Sequence, residues 1–181
     1  MKKVFVLVMV AIMTLGLSFK AQAIENPWNE GTFVVNAHAG FFPGIGGSVS
    51  GDYVLVNSWW KGHFTVGGYA GFNGRNFSNN GATTKTEIFS VMSRVTYGLN
   101  ITEDFEVHAG VMTGVCLDHT RSYIIYVTQP YTETNTFNYV YVPFFGGCRY
   151  YFTPNFGVSA EVCFSNNSYI SYINAGITFK F

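Results

Sequence analysis

Apolar and polar residues alternate along most of the chain beyond its first thirty positions. In "KTEIFSVMSRVTYG" the alternation puts Phe89, Val91, Val95 and Tyr97 on one side of an extended backbone and Arg94 on the other. In "DFEVHAGVMTGVC" it separates Phe105, Val107, Ala109, Val111 and Val115 from Glu106 and His108. Successive side chains of a strand point to opposite faces, so this pattern predicts strands with two chemically distinct faces. Turn signals cut the sequence into eight such runs. They cover about 31–41, 48–58, 62–72, 85–98, 104–116, 138–151, 155–164 and 169–181. The connections "WWK", "LNITE" and "FTP" are short, whereas "FPGIGG", "NGRNFSNNGATT" and the stretch 117–137 are longer. The last run, "YINAGITFKF", alternates to its final residue. Chain ends commonly fray, so this regularity predicts a strand paired along both edges.

Composition narrows the class. Aromatic residues make up 18% of the chain and charged residues only 11%, against about 25% charged in an ordinary soluble domain. No run beyond the N-terminus reaches the ~20 continuous apolar residues that a spanning helix needs. The chain opens with "MKKVFVLVMVAIMTLGLSFKAQA": a positive start, a short apolar core and a small-x-small site. These features predict a signal peptide over residues 1–23, cleaved after Ala23, ahead of a barrel domain over 24–181. An exported, charge-poor, aromatic-rich chain without a spanning helix fits a transmembrane β-barrel. The expected fold is all-β: an eight-stranded antiparallel up-and-down barrel in a bacterial outer membrane. With an even strand count, both termini should lie on the periplasmic side.

Charge placement supports the same reading. Asp52, Arg94, Glu106, Arg149 and Glu161, with His38, His63 and His108, all fall on the face opposite the apolar set. A charge on the lipid side near the bilayer centre costs roughly 2–4 kcal/mol. The five Asp, Glu and Arg residues should therefore point into the lumen and pair as a network that fills a narrow barrel. Gly67, Gly68, Gly110, Gly146 and Gly147 are expected where a small barrel bends sharply. Trp59, Trp60, Tyr97, Phe105, Tyr150, Tyr151, Phe156 and Phe181 should ring the periplasmic rim as interfacial aromatics. Phe41, Phe42, Phe72, Phe164 and Tyr169 should ring the outer one.

The stretches "YFTPNFGVSAEV", "KGHFTVGGYAGF" and the terminal "GITFKF" resemble the small bacterial outer-membrane β-barrel family, porin-like and of the OmpX and OmpA type. The resemblance spans essentially the whole region after the signal peptide. It implies that Ile177, Phe179 and Phe181 form an assembly signal read by the barrel-assembly machinery. It implies fold and location better than activity.

Other chemistry is weakly signalled. Without the signal peptide, seven Lys and Arg face ten Asp and Glu, a net charge of −3, which excludes a nucleic-acid footprint. The four His lack metal-ligand spacing, and no cofactor is expected. Cys116, Cys148 and Cys163 are odd in number, and the sequence selects no disulfide pair. "CLDHTRS" brings Asp118, His119 and Ser122 close in sequence, but triads are defined by geometry. The stretch 117–137 is rich in Tyr, Ile, Val and Thr and could carry two strands past the membrane as a ribbon for a surface partner. The expectation is thus a monomeric, non-enzymatic barrel in contact with outer-membrane lipids, with a structural or surface-interaction role and no wide pore. A narrow solute channel and a lipid-acting enzyme are the alternatives.

Overall fold

The computed structural model describes residues 28–181, except 43, 61, 80, 81, 126–129 and 165–172. The predicted signal peptide lies outside the described residues, as do Tyr169 and the first part of the predicted last strand. The described residues form nine strands: β1 (Phe33–Phe41), β2 (Ile45–Trp59), β3 (Gly62–Asn79), β4 (Ala82–Asn100), β5 (Phe105–Ile125), β6 (Pro130–Tyr141), β7 (Phe144–Thr153), β8 (Phe156–Phe164) and β9 (Ile173–Lys180). Each pairs antiparallel with its neighbours, and β9 pairs with both β8 and β1. The sheet therefore closes, and the barrel has eight staves. Both β6 and β7 lie along β5, so together they form the sixth stave.

That stave was expected to be continuous over 138–151. It breaks at Val142 and Pro143. Proline has no N–H to give to a ladder, so the strand cannot run through it. Its carbonyl still accepts a bond from the Met112 amide at 2.9 Å.

The alternation read from sequence is the alternation of the wall. One rung runs outside from Ile177 through Ala37, Val49 and Ala70 to Val91. The next runs from Ala175 through Ala39, Gly47 and Phe72 to Phe89. The opposite face looks inward and is buried. Closure is tight to the last residue: Phe181 and Phe33 exchange backbone hydrogen bonds of 2.8 and 3.1 Å.

The end at which β1 begins and β9 finishes has short turns. Trp60 takes a left-handed φ of 49° in the β2–β3 turn, an uncommon conformation for a bulky residue. Tyr97 donates from its hydroxyl to the carbonyls of Trp59 and Trp60, each at 3.1 Å, and ties that turn to β4. The "TPN" turn is held by the Thr153 hydroxyl, which accepts from the Phe156 amide, and by the Asn155 side chain, which donates to the Lys180 carbonyl at 2.7 Å.

The other end is uneven. Strands β1 and β8 have 9 residues each, close to the 9–11 needed to cross a bilayer. Strands β3, β4 and β5 have 18, 19 and 21. The segment 73–84, expected as a loop, is instead a continuous hairpin pairing Asn73 through Asn79 with Ile88 through Ala82. The ribbon foreseen in 117–137 also forms, with Gly114–Ile125 paired to Pro130–Tyr141.

Candidate functional site: the lumen and the sheet beyond the rim

Inside the barrel the side chains are layered. At the termini end, Trp28, Val34, Val54 and Tyr151 form a small apolar plug. Trp28 precedes the first strand and folds back under the barrel, stacking on His63 with ring centroids 4.4 Å apart. Its indole N–H reaches Asn100 Oδ1 at 3.0 Å. The Lys180 ammonium lies 5.2 Å from the Trp28 ring and 4.7 Å from the Tyr151 ring, within cation–π range. Tyr151 was expected at the rim among the interfacial aromatics. Its place in the strand turns it inward, and it is buried against Trp28.

Above this plug lies the charged layer. Asp52 from β2, Arg94 from β4, Glu106 from β5, Arg149 from β7 and Glu161 from β8 converge there, none more than 1% exposed. Arg149 donates to Asp52 Oδ2 at 2.8 Å, Glu106 Oε1 at 2.9 Å and Asn36 Oδ1 at 3.2 Å. Arg94 forks onto both Glu161 oxygens at 2.9 and 3.4 Å, and its guanidinium lies over the Phe145 ring at 4.2 Å. Its Nε also lies 3.0 Å from Asp52 Oδ1, close enough to pair as charges but off the line of a hydrogen bond. Asp52 thus joins the two arginines. His108 sits between Glu161 at 3.2 Å and Glu106 at 3.5 Å, and His63 is 3.7 Å from Glu106. Five staves are cross-braced by charge-assisted bonds in a water-poor interior, where such bonds are strong and unpaired charges costly.

Glycines make this layer possible. Gly67 stands between Asp52 and Arg94 in the ladder. A Cβ there would strike the Gly51 carbonyl and lie 2.8 Å from Asp52 Oδ1. Gly147 stands between Glu161 and His108, and a Cβ there would lie 2.8 Å from His108 Nε2. These two glycines leave space for ion pairs that reach across a stave, a role distinct from the bending expected of them.

Over the charges lies a second apolar layer of Tyr69, Ile88, Met92, Met112, Cys116, Tyr141, Phe145 and Cys163. All three cysteines are free. Ser159 and His38 share a 2.7 Å hydrogen bond, buried in the lumen wall.

The remaining sequence candidates separate. Trp59, Trp60, Tyr150 and Phe156 are exposed on the outer wall at the termini end, with Tyr97 and Phe105 half-buried. Ile177, Phe179 and Phe181 face outward on β9 and its end. Asp118 and His119 are consecutive on β5 and point to opposite faces. Asp118 is buried and accepts from Thr120 at 2.8 Å, whereas His119 contacts Thr136 and Arg121 outside. The "CLDHTRS" residues therefore build no triad. Among the described residues, no group of three or more His, Cys, Asp or Glu is placed to hold a metal ion.

Beyond the rim, β3, β4, β5 and β6 continue as a four-stranded sheet. Its outward face carries Asn76, Lys85, Arg121 and Thr134 in one rung and Glu87, His119 and Thr136 in the rung below. Lys85 and Arg121 are direct cross-strand neighbours. The Lys85 ammonium lies 2.6 Å from Glu87 and holds that carboxyl below its ordinary range, so it stays ionised. Among the described residues, β6 is laddered on its β5 side alone, and the β2–β3 ladder begins at Ile45 and Gly74.

This geometry defines a class: the small, closed, eight-stave barrels with a filled lumen. The crystal structure of Ail, the attachment invasion locus protein of Yersinia pestis, has the same architecture, with a TM-score of 0.53 and 15% identity over 84% of this chain and all of that one. The structure of Ail in complex with the heparin analogue sucrose octasulfate gives 0.50 and 13%, over 83% of this chain and 97% of that one. The N-terminal β-barrel domain of OprF from Pseudomonas aeruginosa aligns with a TM-score of 0.46 and 15% identity, over 85% of this chain and all of that one. No family model matches the sequence, and no curated protein matches it.

Proposed function

We propose that the chain is an integral barrel of a bacterial outer membrane, non-enzymatic and closed to solutes. It acts at the cell surface through the sheet formed by β3–β6 beyond the rim. The outward band of Val, Phe, Ile, Ala and Leu supports membrane insertion, because lipid-facing rungs must be apolar and the β9–β1 pairing closes the sheet on itself. Both termini then lie on the periplasmic side, and Trp59, Trp60, Tyr97, Phe105, Tyr150 and Phe156 sit at that interface. Ile177, Phe179 and Phe181 serve as the signal for the assembly machinery, a role supported by their position on the strand that closes the barrel. The Asp52–Arg94–Glu106–Arg149–Glu161 layer acts as a plug that holds the staves together.

One observation carries the surface role. Among the described residues β6 is paired on its β5 side alone, and a strand edge of that kind is a template for adding a strand from another protein. Ail, similar in fold, is an attachment protein by its own description.

The test is a shortened hairpin. Thr120 and Asn135 already face each other across β5 and β6, so residues 121–134 can be replaced by Asn-Gly, which favours a tight hairpin turn. The shortened protein should reach the outer membrane in normal amount while adherence of the bacteria to a host-cell layer falls to background. Full adherence by cells carrying the shortened protein would overturn the surface role.

A further inference from the structure

Two concavities on the outer wall meet at Phe72. The lower one is a groove of about 760 Å³, lined almost wholly by apolar atoms. Its floor is the pair of rungs described above, where Ala37, Ala39, Gly47, Ala70 and Ala175 stand lower than the flanking Ile177, Val49, Phe89 and Val91. A Cβ at Gly47 would meet nothing nearer than the His38 carbonyl at 3.4 Å, so the space in front of this glycine is open. The upper concavity, about 510 Å³, lies above the groove on β2, β3 and β4 and is lined by Ile45, Phe72, Arg75, Asn76, Lys85 and Glu87 among others. Lys85 is four residues up β4 from Phe89, about 13 Å at strand rise.

The top of this column has an unusual charge pattern. Lys85 and Arg121 are opposite each other in adjacent strands, where like charges destabilise a sheet. Glu87 pairs with the Lys85 ammonium, and among the described residues Arg121 donates to His119. Among the described residues, Glu87 thus faces both Lys85 and Arg121. A dianionic group seated against the pair would offset the repulsion with charge-assisted bonds.

We propose that this column is a lipid site. One phosphate-bearing acyl lipid of the outer leaflet lays a chain in the groove over Gly47 and Ala39 and sets its phosphate against Lys85 and Arg121. The inference rests on the outer-membrane reading above, which places the groove in hydrocarbon and the cations at headgroup height. A second barrel fits less well. A two-fold contact between parallel barrels through this groove would bring the two Lys85–Arg121 clusters together at the same height.

Native mass spectrometry decides the matter. The barrel is reconstituted in phosphatidylcholine vesicles containing a bisphosphorylated lipid A, and protease protection of the staves confirms insertion. The wild-type protein should retain one lipid A, with a preference of about tenfold or more over phosphatidylcholine. Gly47→Phe should lose the lipid while remaining a folded, heat-modifiable barrel on gels. The pair Lys85→Gln and Arg121→Gln should lose the preference for the phosphorylated lipid. Equal retention of both lipids by the wild type, preference unchanged in the glutamine variant, or a lipid-free dimer would each overturn the site. Failure of the wild type to insert into any vesicle would instead overturn the outer-membrane reading.

Discussion

Strands β4 and β5 run through two regions built on opposite principles. In the barrel, β4 and β5 are paired on both edges and the buried arginines are matched to acids within 3.0 Å. Beyond the rim the same strands carry a sheet whose last strand, β6, is laddered on one side alone among the described residues, with an exposed apolar residue, Phe77, and two cations face to face. The first arrangement stabilises the fold. The second costs stability, and features that break local rules without a structural gain mark the places where function resides.

The largest effect should come from breaking the charged layer. Arg149→Ala leaves Asp52 and Glu106 buried without their main counter-charge, and an unpaired buried ion costs about 3–5 kcal/mol. Urea unfolding in vesicles should show that loss, and an unchanged midpoint for both Arg149→Ala and Arg94→Ala would remove the network from the account of stability. A smaller loss is expected from Gly67→Val. The added carbons collide with the Gly51 carbonyl and crowd Asp52, and overpacking of this kind costs about 1–3 kcal/mol. Gly68→Val on the outer side of the same strand is the control: the nearest atom to a Cβ there is 3.9 Å away, and the midpoint should hold. At the far end of the scale stands Arg121→Gln. It relieves the opposition with Lys85 and spares the Lys85–Glu87 pair, so stability should stay level or rise by a few tenths of a kcal/mol. A clear loss in that variant would mean that the sheet beyond the rim is braced like the barrel below it.

How much of this was legible from sequence follows the same divide. Where one face of a strand meets an apolar surrounding and the other does not, period two is sharp. Runs such as Phe105 to Val115 and Ile173 to Phe181 announced their faces and the strand they form. The inward set of Asp52, Arg94, Glu106, Arg149 and Glu161 could be read for the same reason. In 73–84 both faces are polar, so no alternation separated strand from loop, and the hairpin went unseen. Trp28 lies outside any periodic run, and only its fold back under the barrel makes it a plug. Tyr151 followed Tyr150 in a rim-like stretch, and adjacent strand residues cannot share a face, a signal that could have placed it inside. Gly67 and Gly147 carry no side chain to reveal that they clear a path between ions. The break at Pro143 was available from its chemistry, because a proline within a stave cannot donate to the ladder.

Amide hydrogen exchange on the barrel in vesicles, read by mass spectrometry with residue-level fragmentation, tests the contrast between the two regions most directly. Amides of 91–97 in β4 should stay protected throughout, since both edges of that strand are paired. In β6 from 134 to 140, every second amide should exchange rapidly, because it points away from β5, where no ladder partner is found among the described residues. Uniform slow exchange along β6 would contradict the open edge and, with it, the surface role assigned to this sheet.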